Sequence, residues 1–388
     1  QSRSSAASDV YKRQIVGGGL VGCLASLILS KKNYTICLVE KKTFKHIISD
    51  YFTPLSLTIN TIQFLKKNNL WDSSYIKANE IKELTVKLFN SFNVVRFCSD
   101  DLHREELGSV VDKSSFLSYL IDHCKKSKNI NIVDEADAYI DNVTSPIKLS
   151  QTQSKLTITG DYLIVTDGAN SQFAKNLNME RHSFDYDQTS YMFNTNYQHL
   201  SKGAFQIFSK KGIFAILPFN DNSVSIVASI YNEFIDHFAF ESENANFDML
   251  ETELAPYLRG IDKPKLIYKY PLNTSRLVAW SKQNVIFLGN SSQLIHPFGA
   301  QGFNFAADCI QVISDKSEDL LLDGEFNPEI LNIINKKRNT LLKRIDFTSS
   351  ALMRNSFSAN VCSSVFSRTI NSSSTLRRSF LKKIVGMN

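Results

Sequence analysis

A glycine-rich turn between an apolar strand and an apolar helix is the feature that most constrains this chain. Ile15-Val16 precedes the run Gly17-Gly18-Gly19-Leu20-Val21-Gly22, and the small and apolar residues that follow predict a helix over 20–30. The next strand, YTICLVE, ends at Glu40, eighteen positions after Gly22. This order predicts a βαβ unit of the dinucleotide-binding kind.

The residues of this unit have separate physical roles in such a fold. The first glycine permits a tight turn, the third lets the backbone approach a pyrophosphate, and the last allows close packing of the helix. The helix N-terminus favours phosphate, and an acid after the second strand accepts hydrogen bonds from a ribose. We therefore predict that a dinucleotide is bound by Gly17, Gly18, Gly19, Gly22 and Glu40. The alternative is a simple glycine-rich turn with a surface glutamate.

Two further segments place polar residues directly after short apolar strands. The strand 162–165 precedes Asp167-Gly168, and the strand 285–288 precedes GNSSQLIHPFGAQGFN over 289–304. Ligands of open α/β sheets bind at the carboxyl ends of the strands, and glycine-rich loops bring backbone amides close to anions or carbonyls. Taken alone, Asp167-Gly168 is more often simply a turn, and the segment 289–304 is equally compatible with a loop that only leads the chain into its helix.

The rest of the chain predicts an α/β fold with a Rossmann-like nucleotide-binding domain, an inserted mainly β domain and a helical C-terminal region. Residues 180–275 are rich in Phe, Tyr and Asn and contain strand-like runs such as GIFAILPF. Shorter patterns predict helices over 56–69 and 114–126, strands over 84–97, antiparallel strands over 129–160 and helices from Asn327 onward.

Composition excludes several classes of protein. The chain has 388 residues, of which 43% are hydrophobic and 21% charged, so it is a folded globular protein. Its six cysteines are widely spaced, without CxxC pairs or paired histidines, so neither a disulfide framework nor a metal site is indicated. The stretch 15–29 contains four glycines and is shorter than the roughly 20 residues of a membrane span. We predict a cytoplasmic protein that does not cross a membrane.

The first residues are set aside as foreign. Residues 4–14 read SSAASDVYKRQ, which resembles the translation of an adapter used in sequencing libraries over all eleven residues. We therefore predict that residues 1–14 are an adapter-derived scar and that the native first strand is only partly present.

The three polar segments, in this order, resemble the FAD-dependent aromatic hydroxylases, the group that includes p-hydroxybenzoate hydroxylase. The resemblance covers nearly the whole chain after residue 14. The segment 289–304 is most similar to the ubiquinone-biosynthesis branch, typified by 2-polyprenyl-6-methoxyphenol hydroxylase, as are LPF at 217–219, YPL at 270–272 and the ending LKKIVGM. We assign 15–178 and 276–325 to the FAD-binding domain, 179–275 to the substrate domain, with strands of 70–110 contributing to the substrate side, and 326–388 to a basic helical region.

The resemblance implies a role for each motif residue. Gly17, Gly19 and Gly22 contact the FAD pyrophosphate, Glu40 the ribose, and Asp167-Gly168 the pyrophosphate region. Asn290 holds the ribitol or phosphate side, and Pro297 lies beside the isoalloxazine where substrate binds. Backbone amides around Gly302, Phe303 and Asn304 face the flavin pyrimidine. Gly289 and Gln301 are also assigned to cofactor binding. His296 is interpreted as a structural residue rather than a general base.

Several positions depart from the family pattern. Thr53 and Ser114 stand where arginines are expected, and Thr166 stands where alanine is usual. Asn290 replaces an aspartate, and Gly299-Ala300 replaces the Ala-Gly of the ubiquinone branch. The loss of two cationic contacts predicts weaker retention of FAD.

The activity implied by the resemblance is ring hydroxylation of a polyprenylated phenol in ubiquinone biosynthesis, with NAD(P)H as electron donor and O2 as oxidant. Two alternatives stay open: a flavin-dependent reductase of prenyl chains, and a catalytically silent FAD-fold subunit of a quinone-synthesis complex. Residues 336–388 hold eleven Lys or Arg and one acid. This region is either a solvated helix face or an attachment to anionic lipid, on the inner face of the plasma membrane. No nucleic-acid-binding motif accompanies the charge.

Overall fold

The protein is described here by a computed structural model. It covers residues 8–10, 13–32, 34–48, 51–88, 94–144, 146–151, 157–238, 240, 247–322, 325–352 and 357–384. Most of the predicted foreign segment and the end of LKKIVGM lie outside these ranges.

Strands account for most of the described elements. In chain order they are β1 (Ser8–Val10), β2 (Arg13–Val16), β3 (Ile36–Val39), β4 (Pro54–Thr58), β5 (Ala78–Ile81), β6 (Glu83–Leu88), β7 (Val94–Cys98), β8 (Gly108–Asp112), β9 (Ile130–Val133), β10 (Ala138–Asn142), β11 (Ile147–Gln151), β12 (Thr157–Gly160), β13 (Tyr162–Val165), β14 (Arg181–Leu200), β15 (Ala204–Phe208), β16 (Gly212–Asn220), β17 (Ser223–Tyr231), β18 (Leu258–Ile261), β19 (Lys265–Leu277), β20 (Ser281–Lys282), β21 (Val285–Phe287), β22 (Gln293–Leu294), β23 (Leu321–Leu322) and β24 (Glu325–Phe326).

Helices flank these strands and form the C-terminal region. They are α1 (Leu20–Ser30), α2 (Phe44–Ile47), α3 (Ile59–Lys67), α4 (Lys113–Lys126), α5 (Gln172–Asn176), α6 (Ile235–Phe238), α7 (Asp248–Leu254), α8 (Gln301–Asp315), α9 (Pro328–Leu352), α10 (Phe357–Ser372) and α11 (Ser374–Ile384). None of the helices in the described ranges is long and apolar enough to cross a bilayer.

A six-stranded sheet in the order β20-β21-β13-β2-β3-β9 organises the predicted nucleotide-binding part. From β21 to β9 every neighbouring pair is parallel. The strands β13, β2 and β3 are buried along their whole length, because helices and loops cover both faces. On one face α1 packs against α4 and α8, and their apolar side chains form the largest core cluster. The α/β fold class is confirmed.

A second, nine-stranded sheet contains β14 to β19 with β22, and β6 and β7 from the region 70–110 complete it. Side chains of β14 alternate between the two faces of the sheet over 188–196. Tyr191 and Phe193 therefore enter a core behind the sheet, while Met192 points to the opposite face. Segments of the two sheets therefore alternate along the chain, in the order that the sequence predicted. The domain boundaries themselves stay a prediction.

Two local expectations are corrected by strand pairing. Residues 56–58 are not helical, because they pair antiparallel with β8 and α3 begins only after Thr58, whose hydroxyl caps it. β9 is not antiparallel, since it extends the parallel sheet beside β3. Arg13 and Gln14 lie in β2 although the sequence around them looks foreign. Backbone hydrogen bonds do not depend on side-chain identity, so this segment completes the strand; its foreign origin stays a prediction.

The C-terminal helices pack on the protein rather than standing free. Ile370 of α10 and Leu381 of α11 share an apolar cluster with Val95 and Phe97 of β7. Arg377 makes two hydrogen bonds at 2.9 and 3.1 Å to a carboxylate oxygen of Asp101. Part of the basic charge that the sequence assigned to this region is therefore used inside the fold.

Candidate functional site

The predicted motif residues begin where the central parallel strands end. β3 ends before Glu40, β2 before Gly17, β13 before Thr166, and β21 before Gly289. Parallel strands bring their carboxyl ends to one edge, and contacts between the loops show it. The Thr166 hydroxyl donates to the carbonyls of Val16 and Gly17 at 2.8 and 2.9 Å. Thr166, which stands where alanine is usual, thus joins the loop after β13 to the loop after β2.

The glycine turn is closed by contacts that exclude side chains. Gly17 has a φ of 99°, and a Cβ on Gly22 would lie 1.8 Å from the Gly17 carbonyl oxygen. Gly19 is the N-cap residue of α1 and is different, because no atom outside its own stretch of chain lies within 4 Å of the place where its Cβ would be. Gly17 and Gly22 therefore shape the turn, whereas Gly19 leaves open space in front of the helix N-terminus.

Glu40 folds back onto this turn. Its carboxylate accepts hydrogen bonds from the Gly18 amide at 2.5 Å and from the Lys42 amide at 2.9 Å, and the residue is only 9% exposed. A carboxylate has about four lone-pair sites, so two bonds leave acceptor capacity for a ligand hydroxyl. The glutamate is thus held beside the glycine turn, and its contact with a ribose stays a prediction.

Asp167 lies two residues after β13 and binds the first turn of the short helix α5. Its Oδ2 accepts from the Gln172 amide at 3.0 Å, while its buried Oδ1 has no hydrogen-bond partner among the described residues. Burial raises the pKa of Asp167 above its usual value. Gly168 has a φ of 91° and open space at its Cβ position. An unsatisfied buried oxygen beside open backbone is a feature that a bound ligand would satisfy.

The third motif returns the chain to the same edge and then into α8. The Ser291 hydroxyl donates to the Val165 carbonyl at 2.7 Å, and Gly289 approaches Val21 so closely that a Cβ would lie 3.0 Å from its side chain. Gly299 and Ala300 both have positive φ, at 71° and 53°, which turns the chain sharply into α8. The exposed Asn290 lies between these two turns.

The side chain of Asn304 links two parts of the fold, and the flavin contact expected of its backbone amide stays a prediction. Its side chain is buried and accepts from the Thr58 amide at 3.0 Å, and it donates to the carbonyls of Ser56 and Ala300 at 3.0 and 2.6 Å. It therefore joins β4 to the turn before α8. This contact across 246 residues gives no signal in the sequence.

A cavity of 670 Å³ lies between this turn and the second sheet. Five predicted residues line it, namely Asn290, Pro297, Gln301, Gly302 and Phe303. The opposite wall is mostly apolar and is formed by side chains of the nine-stranded sheet, including Met192, Phe205, Ile213, Leu217 and Val227. The other predicted residues do not line this cavity: Gly17, Gly18, Gly19, Gly22, Glu40, Asp167, Gly168, Gly289 and Asn304. All of them except Asn304, which lies in α8, follow the ends of the parallel strands.

Lys113 is a cavity residue that the sequence analysis missed. It is the first residue of α4 and directly precedes the buried Ser114, where an arginine was expected. Its amide donates to the carbonyl of Thr53, the other expected arginine position, at 2.8 Å. Among the described lining residues it is the single Lys or Arg, and none is Asp or Glu. Aligning the expected arginine with position 113 instead of 114 would have identified Lys113 from the sequence.

His296 is a neutral structural residue, as the sequence analysis interpreted it. Its Nε2 lies 3.0 Å from Oε1 of Gln188, and its Nδ1 accepts from the Phe298 amide at 3.2 Å. Burial lowers the pKa of His296 to about 3. The imidazole therefore holds the turn before Pro297 against β14 without carrying charge near neutral pH.

This depressed pKa makes a prediction for acid stability. Unfolded histidine takes up a proton near pH 6.5 and folded His296 only near pH 3, so its contribution to stability is present above 6.5 and is lost as the pH falls toward 3. We expect the difference between wild type and His296→Asn in the free energy of unfolding to shrink by about 2 kcal/mol from pH 6.5 to 4.5. Urea titrations across this range measure it; parallel curves would contradict it.

Comparison with known proteins identifies the family. The family model described as FAD binding domain matches residues 10–331, most of the chain. The chain belongs to this family. Its relatives include the mitochondrial ubiquinone biosynthesis monooxygenase COQ6 of Dictyostelium discoideum, 21% identical over 81% of this chain and 78% of the relative. The Drosophila melanogaster COQ6 is 22% identical over 89% and 82%.

Solved structures share the fold at low identity. The p-nitrophenol 4-monooxygenase PnpA of Pseudomonas putida aligns with a TM-score of 0.77 and 13% identity, over 98% of this chain and 100% of that one. PqsL of Pseudomonas aeruginosa, a probable FAD-dependent monooxygenase, aligns with a TM-score of 0.70 and 15% identity, over 89% and 97%. The family and these relatives place the chain among the flavin-dependent monooxygenases, as predicted.

Proposed function

We propose that FAD binds along the sheet edge, with its nucleotide part at the glycine turn and its flavin at the cavity. The residues present fit the group. Open space at Gly19, Gly168 and Gly302 leaves backbone accessible, and Asp167 offers an unsatisfied acceptor. Gly17 and Gly22 shape the turn, Glu40 takes the ribose, and Asn290 takes the ribitol or phosphate side.

In this proposal, Lys113 supplies the positive charge that the family pattern expects from arginines at positions 53 and 114. A cation in a cavity whose described lining residues include no acid favours an anionic group of the cofactor. We expect Lys113→Met to weaken FAD binding about tenfold, with Lys113→Arg close to wild type. Flavin fluorescence titration of the apoprotein measures the Kd. Equal affinity of the methionine variant would show that the cation does not contact FAD.

We propose further that the enzyme hydroxylates the aromatic ring of a polyprenylated phenol in ubiquinone biosynthesis. The observation that carries this is the apolar cavity enclosed between Pro297 and the second sheet, beside the cofactor edge. The COQ6 relatives, which are named as ubiquinone biosynthesis monooxygenases, support the assignment. The reaction consumes phenol, O2, NAD(P)H and a proton, and yields hydroxylated phenol, water and NAD(P)+.

The residues of the chain position and enclose the reactants. When bound, FAD supplies the electron and oxygen transfer between NAD(P)H, O2 and the ring. The backbone at Gly302 and Phe303 presents amides to the flavin, and the His296 contact with Gln188 fixes Pro297 beside the space where the ring would lie. The apolar wall of Met192 and Val227 keeps water away from the reacting ring.

Product analysis under 18O2 tests the activity. We expect the holoprotein, supplied with NADH or NADPH and a short-chain prenyl phenol, to give a phenol with one additional 18O atom. A product with a saturated prenyl bond and no 18O would favour the prenyl reductase. Protein that retains no flavin and consumes no NAD(P)H would favour the scaffold subunit.

A further inference from the structure

Exposed aromatic rings surround the opening of the cavity. Tyr268 and Tyr270 of β19 line the cavity, yet they are 42% and 43% exposed, so they stand where it meets solvent. Phe184 of β14 is 60% exposed and lies 5.0 Å from the ring of Tyr186, another lining residue. Large exposed rings grouped at one opening indicate a contact surface rather than scattered surface residues.

Cationic side chains accompany these rings. The run 263–270 reads KPKLIYKY and contains three lysines and no acid, and all three lysines are exposed. The Lys265 ammonium lies 4.0 Å from the centroid of the Tyr51 ring, which is itself 50% exposed. Lys269 pairs with Tyr191 and its ammonium lies 5.9 Å from the centroid of that ring, so it is on the opposite face of β19 from the two tyrosines. We call the group Phe184, Lys263, Lys265, Tyr268 and Tyr270 the mouth surface.

The mouth surface lies on the outer side of a sheet. β22 pairs with β19 only at Ser275 and Arg276, so among the described strands nothing pairs with the outer side of 265–272. Lysines on such an edge prevent strand pairing between copies of a protein. This role of the lysines does not explain the exposed tyrosines, because the tyrosine side chains point toward the cavity opening and not along the strand edge.

We propose that the mouth surface docks on an anionic lipid bilayer, so that an apolar substrate enters the cavity without crossing water. Tyrosine rings are favoured at the membrane interface because one end is apolar and the other is polar. Each lysine near an anionic surface strengthens binding about fivefold. The inference rests on the proposed function, since it needs a substrate with a long apolar chain.

The C-terminal region is the competing surface for lipid. Arg338 is buried and donates to Oε1 of Gln293 at 2.9 Å, and Arg377 is bound to Asp101. α10 and α11 still expose Val365 and Leu376, but neither helix lines the cavity. The mouth surface has exposed lysines and also includes residues that line the cavity, so we place the lipid contact there.

Vesicle sedimentation of the full-length holoprotein tests the proposal. Vesicles of phosphatidylcholine mixed with about one-third phosphatidylglycerol are compared with pure phosphatidylcholine. We expect Lys263→Gln with Lys265→Gln to weaken binding about thirtyfold, and the matched exposed pair Lys66→Gln with Lys67→Gln to leave it unchanged. Tyr268→Ser with Tyr270→Ser should weaken binding without changing its salt dependence.

Four outcomes would overturn the proposal. The first is that the protein does not bind anionic vesicles, and the second is that the control pair loses vesicle binding as much as the mouth-surface pair. The third is that vesicle binding is lost only when Arg368 and Lys382 of the C-terminal helices are neutralised. The fourth is that light scattering shows a dimer, which the β19 variants convert to a monomer. Hydroxylation of a water-soluble short-chain phenol without vesicles is measured in parallel. Its failure would sink the proposed function, whereas its success with no vesicle binding would sink only this inference.

Discussion

Replacing Gly22 with alanine is expected to destabilise the protein by about 3 kcal/mol and to abolish FAD binding. The added Cβ would lie 1.8 Å from the Gly17 carbonyl oxygen and 2.7 Å from the Thr166 hydroxyl. Both contacts belong to the loops that close the sheet edge, so α1 must move away from β2. Urea unfolding and flavin fluorescence of the purified variant measure the two effects.

Gly19 provides the matched control for this experiment. Its φ is −72° and no atom lies within 4 Å of its Cβ position, so Gly19→Ala should cost less than about 1 kcal/mol of stability. FAD affinity should nevertheless fall at least about tenfold, because the methyl group occupies the approach to the helix N-terminus. An alanine at Gly19 that leaves the FAD Kd unchanged would show that the pyrophosphate does not bind here.

Removing the Asn304 side chain should have the second largest effect. Asn304→Ala would leave the Thr58 amide and the Ser56 and Ala300 carbonyls without their buried partner, at a cost of about 3 kcal/mol in the free energy of unfolding. The turn that carries Gly302 and Phe303 would also lose its link to β4. We therefore expect both a lower Tm and a blue-shifted or broadened bound-flavin spectrum.

Asn332→Ala serves as its control, since Asn332 is an exposed residue of α9. Its effect on unfolding should stay within about 0.5 kcal/mol. If Asn304→Ala proves as mild as this control, the hydrogen bonds between the turn and β4 do not stabilise the site.

Local patterns predicted the central motif because its physics is local. The helix over 20–30 agrees with α1, and the apolar run 162–165 agrees with β13, since a short buried strand and a glycine turn are recognisable from neighbouring residues. The start of α3 was misplaced, because residues 56–58 are held as a strand by β8, which lies about fifty residues away in the chain.

The sequence alone determined the kind of edge this protein builds. Glycines after β2, an acid after β3, and polar turns after β13 and β21 suffice to specify a nucleotide-binding sheet, because each requirement is met by residues adjacent in the chain. Tertiary structure alone decided how the cavity beside that edge is held. The Asn304 contact with β4, the His296 contact with Gln188 and the grouping of tyrosines at the mouth join residues far apart in sequence, and such pairings depend on packing that no local pattern encodes.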